Sequence, residues 1–157
     1  MKLNQRTREF IEKMGLLFEH GGSTRTHGRL MALLLVHDKP LSLSEMADHL
    51  QVSKASLSTN ARMAVQIGMA QRVSRPGDRK DYYQMTPSSF ENMVAQRVQA
   101  IDVFIHLADE GLAAVEADNT TARARLEKMK EFYQFFLREL EGSLDRWREH
   151  DHSRQRR

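Results

Sequence analysis

The chain has 157 residues and fits one domain, or one domain with an appended arm. It contains no cysteine, which excludes disulfides, thiolate metal sites and cysteine nucleophiles. Its 40% hydrophobic and 29% charged residues describe a soluble globular protein, and the formal net charge of +3 hides an uneven spread.

Residues 1–52 are net +1, 53–87 net +4, 88–147 net −4 and 148–157 net +2. A basic middle segment on a near-neutral chain is a candidate phosphate-binding footprint. The longest apolar run, Leu30 to Val36, is far short of the ~20 residues of a membrane span. The start MKLNQRTREF lacks the apolar core of a signal peptide, so a cytoplasmic protein with no membrane partner is expected.

In chain order, residues 3–19 predict a helix, with Leu3, Phe10, Ile11, Met14, Leu17 and Phe18 on one stripe and Gly21-Gly22 as its stop. A second helix, about 26–37, is apolar on several sides and is expected to be buried. Pro40 limits it. Ser42-Leu43-Ser44-Glu45 is a capping-box pattern opening a short helix with Met46, Ala47 and Leu50. Gln51-Val52 reads as a tight turn, and Ser53 caps a helix of about 54–67 that stops at Gly68. Residues 69–74 and 82–85 read as the strands of a hairpin around the basic turn Arg75-Pro76-Gly77-Asp78-Arg79-Lys80. Thr86-Pro87-Ser88 caps the next helix.

The remainder is long helix. Val94, Ile101, Ala108 and Val115 are seven apart, as are Val98, Ile105 and Leu112, forming an a/d seam. Residues 118–121 break it. Leu126, Tyr133, Leu140 and Trp147 resume the spacing, with Met129 and Phe136 between. The seams fit an intramolecular helical hairpin or pairing with a second copy. The last residues, HDHSRQRR, read as a frayed polar tail.

Two helices at a sharp turn followed by a basic hairpin make a winged helix-turn-helix. The expected class is mainly α with a small β-hairpin wing (α+β), carrying long C-terminal dimerisation helices. Its parts would be an N-terminal helix at 1–22 joining the helical arm, a winged helix at 23–87, dimer helices at 88–148 and a tail at 149–157. On the helix from Lys54, Leu57, Ala61, Ala64 and Gly68 share one face, with Val65 at its edge. The opposite face holds Ala55, Thr59, Arg62, Met63 and Gln66, with Ser56 and Ser58 on the flanks. Small residues allow close approach to a groove, while hydroxyls and Arg reach phosphates or base edges. The candidate DNA-binding residues are Lys54, Ser56, Ser58, Thr59, Asn60 and Arg62 on the helix, and Arg75, Arg79 and Lys80 on the hairpin. Asp78 is expected to orient Arg79.

Residues Ser53 to Arg62 resemble the recognition-helix pattern of the MarR superfamily, nearest its GbsR-like branch. Pro76 to Tyr83 resembles the wing and following strand of that branch, and Gly28-Arg29 also fits. The resemblance spans residues of about 15–90. It implies a homodimeric, DNA-binding transcriptional regulator, usually a repressor, with the Lys54 helix in the major groove, Arg79 at the minor groove and Ser58 on a phosphate. Ala61 and Ala64 depart from the larger aliphatics common there, which implies closer packing of that helix. An effector between the DNA-binding lobe and the dimer helices is a further implication. Phe18, Phe104, Tyr133 and Phe136 are its candidate pocket, with ordinary core packing as the alternative.

Neither a Walker loop nor GxSxG or HExxH occurs, so an enzyme is not expected. The scattered histidines predict no metal site, and no cofactor is implied. The competing functions are a winged-helix protein-interaction module and a non-specific architectural DNA binder.

Overall fold

The structure is a computed structural model that describes residues 3–155, with side chains as far as His152. It divides into two compact units, one ending at Asn92 and one beginning at Met93.

The first unit opens with α1 (Gln5–His20), capped by Asn4, and α2 (Arg25–Val36), capped by Thr24. These helices cross closely because two positions lack a side chain. A Cβ on Gly28 would lie 2.5 Å from the Met14 carbonyl oxygen, and one on Gly15 would lie 2.6 Å from Cγ of Arg29. Glu12 clamps the crossing by ion pairs with Arg25 and Arg29 at 2.9 and 2.8 Å. Within the first unit, α1 packs on α2.

β1 (Leu41–Ser42) leads directly into α3 (Leu43–Leu50). The capping box forms in full: Ser42 Oγ accepts from the Glu45 amide, and Glu45 accepts from the Ser42 amide. Gln51 adopts the left-handed conformation at φ 53° to turn the chain. Ser53 then caps α4 (Lys54–Gln66) by accepting from the Ser56 amide. Gly68, at φ 70°, closes that helix.

β2 (Ala70–Val73) and β3 (Tyr82–Met85) form the expected hairpin, with Arg72 opposite Tyr83. The sheet has three strands rather than two, in the order β1-β3-β2, because Leu41 and Ser42 pair with Tyr83 and Tyr82. A two-residue strand is too short to show an alternating pattern.

Leu30, Leu33, Met46, Leu50 and Leu57 are buried at the centre of this unit. Burial of α2 on nearly all sides follows from its apolar sequence. Ala61 and Ala64 are fully buried on α4, as their small side chains imply for a closely packed helix.

The remaining helices are α5 (Ser89–Ala114), whose first turn belongs to the first unit, and α6 (Thr120–Gln155). Asn92 anchors that first turn by donating to the Gly68 carbonyl at 2.7 Å. In the second unit the two helices run antiparallel. Arg123 donates to the Leu112 carbonyl, Lys130 pairs with Asp109, and Tyr133 stacks on Phe104. The heptad seams therefore close, at least in part, a hairpin within one chain. Ile101, Ile105 and Ala108 are its buried seam positions on α5.

Phe136 and Trp147, counted with the second seam, are exposed in the single chain. Of the tail 150–157 that was expected to fray, residues 150–155 continue α6, and Arg156 and Arg157 lie outside the described residues. Among the described residues, no helix is long and apolar enough to cross a membrane.

Candidate nucleic-acid interface

Helix α4 offers an outer face that carries no structural duty. Lys54, Ala55, Thr59, Arg62 and Gln66 are exposed. Lys54 and Arg62 make no side-chain hydrogen bond or ion pair among the described residues. No acidic residue lies in the first turn of α4, so its positive helix end is not neutralised locally. Ser56 and Ser58 are half-buried on the flanks. Met63 and Val65 add modest apolar exposure toward the C-terminal half, and for Val65 this departs from its expected place at the inner edge.

Asn60 does not belong with the DNA-facing candidates. It is 7% exposed, its Oδ1 accepts from Thr24 Oγ1 at 2.8 Å, and its Nδ2 donates to the Ser56 carbonyl at 2.8 Å. Thr24 also caps α2 by accepting from the His27 amide. One hydroxyl thus joins the start of α2 to the middle of α4 and fixes α4 on the core. A buried amide needs such partners.

His27 lies in the same region, 2% exposed and against the ring of Phe18. Burial pushes its pKa below 6.5, outweighing a hydrogen bond to the Asn60 backbone that favours the charged form. The folded state therefore binds fewer protons than the unfolded state as pH falls below 6.5. Stability is fully present above that value and is lost toward the lowered folded pKa. One such histidine contributes a slope of at most about 1.4 kcal/mol per pH unit. His27→Gln is expected to flatten the decline in urea-unfolding free energy between about pH 6.5 and about pH 5.5. An unchanged decline would assign it to other groups.

The wing is built around Tyr82. Gly77 turns the tip at φ 78°, with open space around it. Asp78 accepts from the Tyr82 hydroxyl at 2.7 Å and from the Lys80 amide at 2.9 Å. The Tyr82 hydrogen bond, then the Lys80 amide, hold the Asp78 carboxyl below its usual range. This corrects the expectation that Asp78 orients Arg79, because its oxygens are engaged by Tyr82 and Lys80. Arg75 is exposed but anchored. Its guanidinium lies 3.8 Å over the Tyr82 ring and donates to the Pro40 carbonyl at 2.9 Å. Arg72 pairs with Asp81 at 3.0 Å across the base of the wing. Arg79 and Lys80 remain as exposed cations whose side chains have no partner among the described residues.

Phe18 packs against the core of the first unit beside Gly28 and His27. Phe104 and Tyr133 stack on each other at 4.8 Å in the second unit, where Phe136 lies parallel to Phe132 at 6.1 Å. Phe18 is partly buried in the first unit. Among the described residues, no group of three or more His, Cys, Asp or Glu is placed to hold a metal ion.

Residues 88–150 match the family model described as "MmpR5-like MarR family transcriptional regulator". The chain is 35% identical over 140 residues to the HTH-type transcriptional regulator MmpR5 of Mycobacterium tuberculosis, covering 88% of this chain and 85% of that one. It is 27% identical over 85 residues to the HTH-type transcriptional repressor OpcR of Bacillus subtilis, covering 54% of this chain and 46% of OpcR. A crystal structure of a transcriptional regulator superposes with a TM-score of 0.84 at 34% identity, covering 92% of this chain and 99% of that one. The proteins matched are named as regulators of transcription, not as enzymes. The chain belongs to the MmpR5-like MarR family of transcriptional regulators, with a DNA-binding winged helix.

Proposed function

We propose that the protein is a homodimeric, sequence-specific repressor that reads a pseudo-palindromic operator. Helix α4 enters the major groove, and the wing tip with Arg79 and Lys80 reaches the adjacent minor groove. The observation that carries this reading is the outer surface of α4, where Lys54, Thr59 and Arg62 are exposed while Asn60, Ala61 and Ala64 hold the helix from behind. An exposed, rigidly backed polar face is what base reading requires.

Pairing of two copies is supported by apolar surface that the helical hairpin leaves uncovered. Val103, Leu107, Phe132 and Phe135 are all more than half exposed. Surface of this kind marks an interface. Repression is supported by the name of OpcR, and the GbsR-like likeness remains a reading of the recognition helix and wing.

The test is selection from a random duplex pool at near-physiological salt. An enriched inverted repeat with half-sites about one helical turn apart is the expected result. Retained DNA without a motif would point to an architectural binder. No retained DNA would point to the interaction module, for which Met63 and Val65 are the available apolar contacts.

Arg79→Ala then measures the wing. It removes one phosphate-range cation per subunit, so the slope of log K against log salt should flatten by about 2 for the dimer. A slope identical to wild type would remove the wing from the interface.

A further inference from the structure

A cavity of about 130 Å³ lies in the first unit, between the start of α1, the middle of α2 and the end of α3. That volume holds about four waters, or an organic acid of about two to six carbons. Leu3, Ile11 and Leu50 give it buried apolar walls, Arg8, Arg29 and His49 carry nitrogen donors, and Glu12 also lines it.

Arg29 is the central group. Its Nη2 donates to the Leu50 carbonyl at 2.6 Å and pairs with Glu12, yet its Nε is buried with no hydrogen-bond partner. A buried guanidinium donor without an acceptor is a site waiting for one. Glu12 does not supply the missing charge, since Arg25 and Arg29 both draw on its carboxylate. Burial first, then neighbouring positive charges that include His37 and Arg8, hold the His49 pKa below its usual value, with the Glu45 carboxylate opposing them.

We propose that this cavity binds a small organic carboxylate, with Arg29 and Arg8 on its oxygens and its carbon skeleton against Leu3, Ile11 and Leu50. Guanidinium groups recognise planar carboxylates through paired donors, and the apolar walls select an organic anion over an inorganic one. The occupant would lie against Leu50 and Gln51, the turn that leads into α4. Occupancy of the cavity is independent of the DNA-binding reading, because it is measured on the free protein.

The test is a nuclear magnetic resonance titration of the full chain with sodium butyrate at constant ionic strength, following the histidine rings and the leucine and isoleucine methyls. The expected result is saturable binding with Kd of about 1 mM, shifts at Leu3, Ile11 and Leu50, and an upward move of the His49 pKa. Butyramide and inorganic phosphate should not reproduce these shifts.

Arg29→Gln should weaken binding about tenfold or more. Arg29 also holds Leu50, so the fold of this variant must be checked by circular dichroism. Arg8→Gln serves if it unfolds. Arg8 is exposed and, among the described residues, donates to the Leu3 carbonyl alone, and its loss should weaken binding about threefold to tenfold. The absence of saturable shifts up to about 50 mM, equal shifts with phosphate, or unchanged affinity in the variants would overturn the proposal.

Discussion

Gly28→Ala is expected to destabilise the first unit by about 3 kcal/mol, lowering its unfolding midpoint by about 15 °C. The added Cβ would lie 2.5 Å from the Met14 carbonyl oxygen and 2.7 Å from Cβ of Phe18. The first of these is backbone in the middle of α1, so it cannot swing aside as a side-chain tip does. Relief requires α1 and α2 to separate, which would disturb the Glu12 clamp and the seat of Arg29 on Leu50. Gly77→Ala is the matching control. It also adds a single methyl, but at φ 78° in open space, so its cost is the left-handed strain of about 1 kcal/mol. Differential scanning calorimetry of the two variants separates crowding from strain. Equal midpoints would mean that the helix crossing relaxes freely and that Gly28 is not required there.

What the sequence reveals of this fold is local. Ser42 with Glu45, Ser53 before α4 and Asn119 before Ala122 are capping residues within four positions of their partners, and each forms its cap. Gly68 closes α4 for the same reason, since the turn requires positive φ at one residue. Relationships across the chain are not legible in this way. Asn60 is polar, follows Thr59 and looks available to DNA. It is buried because Thr24, 36 positions earlier, meets its side chain. Arg75, Arg79 and Lys80 look equivalent in the wing. Only the tertiary partners Pro40 and Tyr82 distinguish Arg75 as a fixed part of the wing from the two free cations. Gly28-Arg29 was visible as part of a family resemblance, but its physical reasons needed the α1 crossing and the Leu50 carbonyl. The seam residues of α5 and α6 showed their period. Whether that period serves one chain or two needed the pairing of Asp109 with Lys130 and the stacking of Phe104 on Tyr133.

Arg62→Ala is expected to produce the largest loss of operator affinity of any single exchange on α4. Arg62 is exposed two turns into the helix and makes no intramolecular ion pair, so the folded protein loses little when its side chain is removed. Unfolding midpoints should therefore stay close to wild type. A bidentate contact to a base edge contributes about 1–3 kcal/mol, and a homodimer makes it twice. The combined loss of about 2–6 kcal/mol corresponds to at least about thirtyfold in Kd. A phosphate contact in the same place would weaken all sequences alike, whereas a base contact would weaken the selected operator far more than random duplex. Thr59→Ala, one turn earlier, should shift preference among related sequences with less loss of overall affinity. Fluorescence anisotropy on operator and scrambled duplexes, for both variants, distinguishes these outcomes. If Arg62→Ala bound both duplexes as wild type does, the outer face of α4 would not be the reading surface. If it weakened both equally, Arg62 would be a phosphate anchor and base reading would pass to Thr59 and its neighbours.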